Sequence, residues 1–204
     1  MSILFHRGRV DPDKLNKLLI SVLILALIGS FFLPFVLIAF VQDALYFSEH
    51  HWLFLAPTSA FYAIGGGLIW FAALILAYIV IYHIRDRKDR DVPHKWAFLT
   101  ASLFMIPMIT AGIANYYYID ESGIHFSGLT TISETTFHWY EIETVQPVGE
   151  DDRYIAYYLF TSKNGEYYLM PYTQDFSQQR NRIMSALEEN DVPVLEQTYD
   201  PDLP

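Results

Sequence analysis

The stretch of sequence that decides the fold is residues 18–41, which read LLISVLILALIGSFFLPFVLIAFV and carry no charged side chain. About 20 consecutive apolar residues suffice to cross the ~30 Å hydrocarbon core of a bilayer. Each large apolar residue near the centre favours insertion by roughly 0.3–0.6 kcal/mol, and no charge opposes it. The stretch predicts a membrane-spanning helix with a kink at Pro34. Its length, and the lack of a small-residue cleavage site after it, disfavour a signal peptide.

Two more uncharged stretches predict membrane-spanning helices at about residues 60–82 and 96–118. Trp52, before the second helix, and the tyrosines at 116–118 are typical of the aromatic belts at membrane surfaces. The sequence therefore predicts a membrane domain of three helices over residues 18–119.

Three consecutive glycines lie near the start of the second predicted helix: Gly65, Gly66 and Gly67. Small residues allow helix backbones to approach each other closely, so these glycines predict helix packing. The alternative is a bent helix that lines a cavity.

The distribution of lysine and arginine predicts the orientation of the three helices. The tail of residues 1–17 carries four of them: Arg7, Arg9, Lys14 and Lys17. The segment 42–58 carries none, and the segment after the second helix carries Arg85, Arg87, Lys88, Arg90 and Lys95. Cytoplasmic segments are enriched in basic residues, so the tail and the second loop are expected in the cytoplasm. Three spans then place the C-terminal domain on the outer face of the cell membrane.

Composition supports a division into two halves with different surroundings. Charged residues make up only 18% of the chain, below the roughly 25% of ordinary soluble domains. Residues 116–204 hold sixteen Asp and Glu against four Lys and Arg. A domain of this charge repels polyanions, which excludes nucleic acid as a partner. The chain has no cysteine, which excludes disulfides, thiolate catalysis and cysteine metal sites.

From Tyr116 the long apolar runs give way to short strands separated by turn residues. Six antiparallel strands are predicted: Tyr116–Ile119, Ile124–Phe126, Thr135–Tyr140, Ile142–Val145, Tyr154–Thr161 and Glu166–Met170. Asn164-Gly165 joins the last two with a strong hairpin signal. An amphipathic helix follows at about 175–190, with Asp175 as N-cap.

The predicted fold class is therefore an α-helical membrane domain plus an α+β domain. The apolar stripe of the last helix, Phe176, Ile183 and Leu187, can cover the apolar face of an antiparallel sheet or barrel. Residues 196–204 are predicted to be a disordered tail.

Two runs of the C-terminal domain, YIDESGI at 118–124 and FHWYEIETV at 137–145, carry a resemblance. Together with the closing helix, residues 116–195 resemble the bacterial pleckstrin-homology-like domains of small multi-pass membrane proteins. The resemblance implies a barrel-like sheet capped by a C-terminal helix, and it implies no enzyme. It does not extend to phosphoinositide binding, because only Arg153 and Lys163 are basic between residues 116 and 179.

The C-terminal domain has more tyrosines than one small core needs, which predicts an exposed aromatic surface for a partner. Its candidate residues are Tyr154, Tyr158 and Tyr168. Core packing is the alternative explanation for most of the tyrosines.

Two clusters contain residue types that bind metal ions: Glu49-His50-His51 and Glu150-Asp151-Asp152. Adjacent histidines in an extended segment point in opposite directions, so His50 and His51 are expected to be part of a polar loop. Glu150-Asp151-Asp152 lacks the spacing of a calcium loop and reads as a solvated turn. No cofactor or metal is predicted.

The sequence shows no catalytic motif. The predicted function is a non-enzymatic, membrane-anchored interaction module that binds a peptide, a protein partner or an envelope component. The alternative is a small transport or channel subunit that forms homo-oligomers through the glycine-rich helix, although the spans lack the charges of ion-coupled transporters.

Overall fold

The computed structural model of the chain describes residues 12–86, 95–131, 133–149 and 154–199. Several residues singled out above lie outside these ranges: Arg7, Arg9, Arg87, Lys88, Arg90, Glu150, Asp151 and Asp152.

The chain divides into two units. The helical unit comprises Met1–Asp43 and Thr58–Ala114, and the sheet unit comprises Ala44–Pro57 and Asn115–Pro204. The sequence predicts that the segment between the first two spans belongs to the membrane domain. The structure places it in the sheet unit, because this segment contributes a strand to a sheet there.

The helical unit is built from long apolar helices. Helix α1 spans Pro12–Val36, and it continues through a wider π-helical turn at Leu37–Gln42 into the short helix α2, Asp43–Tyr46. Helix α3 spans Thr58–Asp86. Three helical stretches are long and apolar enough to cross a membrane: Lys14–Tyr46, Thr58–Arg85 and Trp96–Ile113.

The third stretch is two helices rather than one, α4 at Lys95–Ser102 and α5 at Met105–Ile113. Pro107 has no N–H group and cannot donate to the carbonyl four residues before it, that of Leu103. Leu103 accepts instead from the N–H of Ile106, at 3.0 Å. The predicted helix to residue 118 is too long, because Tyr116 already begins a strand.

The first sheet of the sheet unit has four antiparallel strands in the order β1-β2-β3-β4. Their bounds are Leu53–Leu55, Tyr116–Ile119, Gly123–Ser127 and Thr135–His138. Strand β1 was not predicted. It pairs with β2 through Leu53 opposite Ile119 and Leu55 opposite Tyr117.

The second sheet has the strand order β7-β6-β5-β8. Its strands, listed from β5 to β8, are Ile142–Gly149, Tyr157–Ser162, Tyr167–Pro171 and Thr198–Tyr199. Strand β8 pairs with β5 in parallel, so residues 198–199 of the predicted disordered tail are ordered. A single 3₁₀ turn, Trp139–Glu141, joins the sheets. The described strands form two separate sheets and not the closed barrel that the sequence allowed.

Helix α6, Gln174–Glu189, closes the core of the sheet unit. Its predicted apolar stripe is confirmed, since Phe176, Ile183 and Leu187 are fully buried. The predicted N-cap is wrong by two residues: the Thr173 side chain accepts the N–H of Phe176 at 3.2 Å, and Asp175 lies inside the first turn. The helix packs with residues of both sheets in one apolar cluster.

Candidate functional site

The outer face of the first sheet carries an unusual row of polar and aromatic residues. Phe54, Tyr118, His125 and Thr136 lie opposite one another across the four strands. Side chains alternate between the faces of a strand, so their neighbours point to the core. Ile119, beside Tyr118, is accordingly fully buried in the core cluster.

His125 is the centre of a polar network that we call the histidine cluster: Asp120, Ser122, His125, Glu134 and Thr136. His125 is only 7% exposed. Its Nε2 lies 2.9 Å from Ser122 Oγ and 3.2 Å from Asp120 Oδ1. Its Nδ1 lies 3.2 Å from Glu134 Oε1 and 3.0 Å from Thr136 Oγ1. Both ring nitrogens therefore have polar partners, as a buried imidazole requires.

The carboxylates of the histidine cluster are also held by other donors. Tyr116 and Tyr118 donate their hydroxyl groups to Glu134 at 3.0 and 2.9 Å. Burial, followed by the bond to Glu134, raises the pKa of both tyrosines. Burial alone would raise the pKa of Asp120, but hydrogen bonds from Ser122 and the nearby His125 hold it below its usual range.

The connections Ser122–His125–Glu134 have the order of a catalytic triad, which the sequence did not reveal. The geometry does not fit a nucleophile, because Ser122 Oγ lies 2.6 Å from Asp120 Oδ1 and donates its proton there. The N–H groups of Ser122 and Gly123, which could form an oxyanion hole, also donate to Asp120 at 2.7 and 3.2 Å. The cluster therefore fixes the β2–β3 turn.

Gly123 completes this turn. Its φ is +153°, and an added Cβ would lie 2.1 Å from the carbonyl oxygen of Phe137. Only glycine fits such an approach of two backbones.

Rings stack on the histidine cluster. Tyr118 lies between His125 and His51, with ring centroids at 4.3 and 4.0 Å. Burial is the main cause that lowers the pKa of His51. Among the described residues, no three or more His, Cys, Asp or Glu side chains are arranged so that they could hold a metal ion.

A second site lies at the other side of the β2–β3 turn. Trp52 and Trp139 stack with centroids 6.0 Å apart, and the guanidinium of Arg182 lies 4.3 Å from the Trp52 ring centroid. These side chains border a groove of about 390 Å³. We call it the tryptophan groove and define it by Trp52, Glu121, Trp139, Arg182, Glu189 and Asn190.

The polar groups of the tryptophan groove are only partly paired. Trp139 Nε1 donates to the carbonyl of Asp120 at 3.2 Å. Trp52 Nε1 is buried, and no acceptor for it exists among the described residues. The Arg182 side chain is 54% exposed and lies 3.9 Å from Glu121, a weak ion pair. The groove thus offers the partly exposed ring of Trp52 and an accessible cation, Arg182.

The three predicted partner-binding tyrosines do not form one surface. Tyr154 is 73% exposed, as predicted for a surface residue. Tyr158 is fully buried, and its hydroxyl accepts a hydrogen bond from Arg180 at 3.3 Å. Tyr168 is half-buried and stacks on Phe126 at 4.5 Å. The prediction for Tyr158 is wrong, because side chains alternate between the two faces of β6 and those of Tyr158 and Phe160 point into the core.

Trp52 and the tyrosines at 116–118 were predicted to form aromatic belts at the membrane surface. The structure places them in the sheet unit. Trp52 stacks in the tryptophan groove, and Tyr117 is 2% exposed in the core of the sheet unit. The sequence could not identify the groove, because its members Trp52, Trp139 and Arg182 are far apart along the chain.

The glycine triplet contacts neighbouring helices of the helical unit. A Cβ on Gly65 would lie 3.0 Å from the carbonyl oxygen of Ser30 in α1. A Cβ on Gly67 would lie 3.1 Å from Met108 in α5, and one on Gly66 would lie 3.5 Å from the same residue. These approaches are the kind that small residues permit.

Of the four residues predicted to set topology, Arg85 is described, in the last turn of α3. Comparison of the chain with protein-family models, with curated proteins and with solved structures gives no significant match.

Proposed function

We propose that the chain is a multi-pass membrane protein whose C-terminal domain is a pleckstrin-homology-like binding module for a peptide or protein partner. Two mainly antiparallel sheets and a C-terminal helix around one core support this assignment, as do the two sequence runs at 118–124 and 137–145. The module acts by binding, and the histidine cluster stabilises the turn beside its binding site.

The observation that carries the proposal is the tryptophan groove. Tryptophan and arginine are the residues most enriched where binding energy concentrates in protein interfaces. Here two tryptophans form the wall of a groove, and the half-exposed Arg182 lies over one of them.

Charge indicates the chemistry of the partner. Glu121 and Glu189 border the groove, and sixteen acidic residues against four basic ones make the C-terminal part of the chain negative. The partner segment is therefore apolar with basic residues beside its apolar anchor, since like charge would repel an acidic one.

Site-specific photo-crosslinking in native membranes tests this function. A benzophenone amino acid at Glu189, in the groove, is expected to yield a discrete crosslinked partner, and the same group at the exposed Glu143 is not. Arg182→Ala should reduce the yield about tenfold, because truncation of an anchor of this kind costs at least about 1–2 kcal/mol. Lys163→Ala makes the same charge change outside the groove and should leave the yield unchanged. Equal crosslinking from both positions would refute the proposal.

The proposed orientation puts the N-terminus in the cytoplasm and the C-terminal domain on the outer face. It rests on the basic residues of the tail and the second loop. A reporter fused after Pro204 that is active only outside the cytoplasm should be active, and cytoplasmic activity would reverse the orientation.

The transport or channel alternative stays a prediction. Gly65 and Gly67 approach atoms of their own chain, so these glycines are engaged in packing within one molecule. Solute flux through liposomes that contain the purified protein would revive that alternative.

A further inference from the structure

The helical unit has an apolar groove at the end where α1 begins, α3 ends and α4 begins. Its volume is about 470 Å³. Apolar side chains of all three helices line it, among them Leu15, Leu19, Phe71, Leu74, Tyr78 and Trp96. A volume of this size is in the range of small-molecule binding sites, roughly 300–1,000 Å³.

The lining decides what can fill the groove. The three helices belong to the stretches that are apolar enough to cross a membrane. Water needs polar partners to occupy a cavity, and this lining offers few. A hydrocarbon chain from the surrounding bilayer meets no such cost, so an acyl chain is the natural occupant.

A positive charge lies beyond the groove on the same face of α3. Phe71 and Tyr78 both line the groove and are seven residues, or about two helical turns, apart. Arg85 follows Tyr78 by another seven residues and lies on the same face, about 10 Å further along the axis. Lys14, one residue before Leu15 of the lining, is exposed at the same end of the unit. Two basic residues, Lys14 and Arg85, therefore lie near this end of the groove, and Asp86 follows Arg85 in the sequence.

We propose that this groove is a binding site for one anionic phospholipid. The acyl chain lies between α1, α3 and α4, and the phosphate lies at Arg85. Basic sites beside membrane helices attract anionic headgroups in this way. The inference rests on the membrane location in the proposed function and is independent of the tryptophan groove. Failure of one experiment therefore leaves the other standing.

Native mass spectrometry of the full-length protein tests the site. The protein is purified in mild detergent and titrated with phosphatidylglycerol or with phosphatidylcholine of identical acyl chains. One molecule of phosphatidylglycerol should bind at least fivefold more tightly than phosphatidylcholine, since one basic residue near the surface contributes about fivefold. Equal binding of the two lipids would mean non-specific lipid contact and would overturn the proposal.

Two pairs of variants locate the lipid. Leu74→Trp fills the groove and should abolish the tight phosphatidylglycerol adduct. Leu76→Trp, at a position 51% exposed and outside the lining, should retain it. If both variants retain the adduct, the groove is not the site.

The second pair of variants changes Arg85 and leaves the packing between the helices unaltered. Arg85→Gln should reduce the preference for phosphatidylglycerol about fivefold, and Arg85→Lys, which keeps the charge, should preserve it. An unchanged preference in Arg85→Gln would overturn the proposed headgroup position, even if Leu74→Trp failed to fold.

Discussion

The helical unit and the sheet unit contain the same types of apolar residue, but the helical unit exposes them and the sheet unit buries them. Phe31 and Phe40 of the helical unit are 74% and 72% exposed, whereas Phe160 and Phe176 of the sheet unit are fully buried. Leaving a phenylalanine side chain in water forgoes roughly 1.5–3 kcal/mol relative to burial. The exposed apolar side chains of the helical unit favour hydrocarbon over water, while the sheet unit encloses its own core. The fold of the helical unit follows from its local apolar composition, whereas the fold of the sheet unit depends on pairing between segments that are distant in the sequence.

The largest expected effect contrasts two phenylalanines. Phe160→Ala should lower the free energy of unfolding of the sheet unit by about 3–5 kcal/mol, because it leaves a cavity in the core. Phe40→Ala should leave that transition within about 0.5 kcal/mol. Guanidinium titration of the full-length protein in detergent, followed by tryptophan fluorescence, measures both. Equal effects would contradict the division into two units.

The next contrast concerns glycines of the helical unit. A Cβ on Gly112 would lie 2.6 Å from Ile64 Cγ1 and 2.8 Å from the carbonyl oxygen of Ala60. Gly112→Ala should therefore destabilise the packing of the helices by about 1–3 kcal/mol. Gly66→Ala meets only an ordinary contact with Met108 and gains helix propensity, so it should be neutral or stabilising. Thermal unfolding of the helical circular dichroism signal in detergent separates the two variants.

An effect of similar size is expected in the histidine cluster of the sheet unit. Asp120→Asn should cost about 1–3 kcal/mol at pH 7, since it disturbs a partly buried, hydrogen-bonded carboxylate. The neighbouring Glu121 side chain is 88% exposed, and Glu121→Gln should have no measurable effect.

The pH dependence of Asp120 follows from its lowered pKa. The stabilisation is complete above the unfolded-state value, near pH 4, and is lost as the pH falls through the folded-state value. The difference between wild type and Asp120→Asn should shrink in unfolding titrations below about pH 4. A difference that stays constant down to pH 2 would show that the charge of Asp120 does not matter.

The smallest contrast is at the start of α6. Thr173→Ala should destabilise the sheet unit by about 1 kcal/mol through loss of the N-cap bond to Phe176. Asp175→Ala should cost less, roughly 0.3–1 kcal/mol from the helix dipole alone. The same guanidinium titration ranks the two variants, and the opposite order would restore Asp175 as the cap.

The sequence predicts the helical unit well because its signal is local. An uncharged run such as residues 18–41 is sufficient on its own. The prediction for the third helix is wrong at the break before Met105 and at its end, where the Tyr116 strand begins. The apolar stripe of α6 was likewise predictable, since helical spacing places Phe176, Ile183 and Leu187 together.

The strand pairing of the sheet unit is hard to predict where segments that are distant in the sequence come together. Strand β1 has three residues, and its partner β2 lies about sixty residues away, so no local pattern reveals the pair. Strand β6 has apolar side chains on both faces, so the sequence does not indicate which face is buried. A shift of one residue exchanges the two faces, and for this reason Tyr158 was wrongly predicted to be exposed. The tryptophan groove is equally hard to predict, because Trp52, which precedes β1, is distant in the sequence from Trp139 and Arg182.

Alkaline carbonate extraction of native membranes tests most directly whether the two units require different surroundings. The full-length chain should stay in the membrane pellet at high pH and enter solution only with detergent, because its exposed apolar helices keep it in hydrocarbon. Recovery of folded, monomeric protein in the carbonate supernatant would contradict the membrane-spanning assignment.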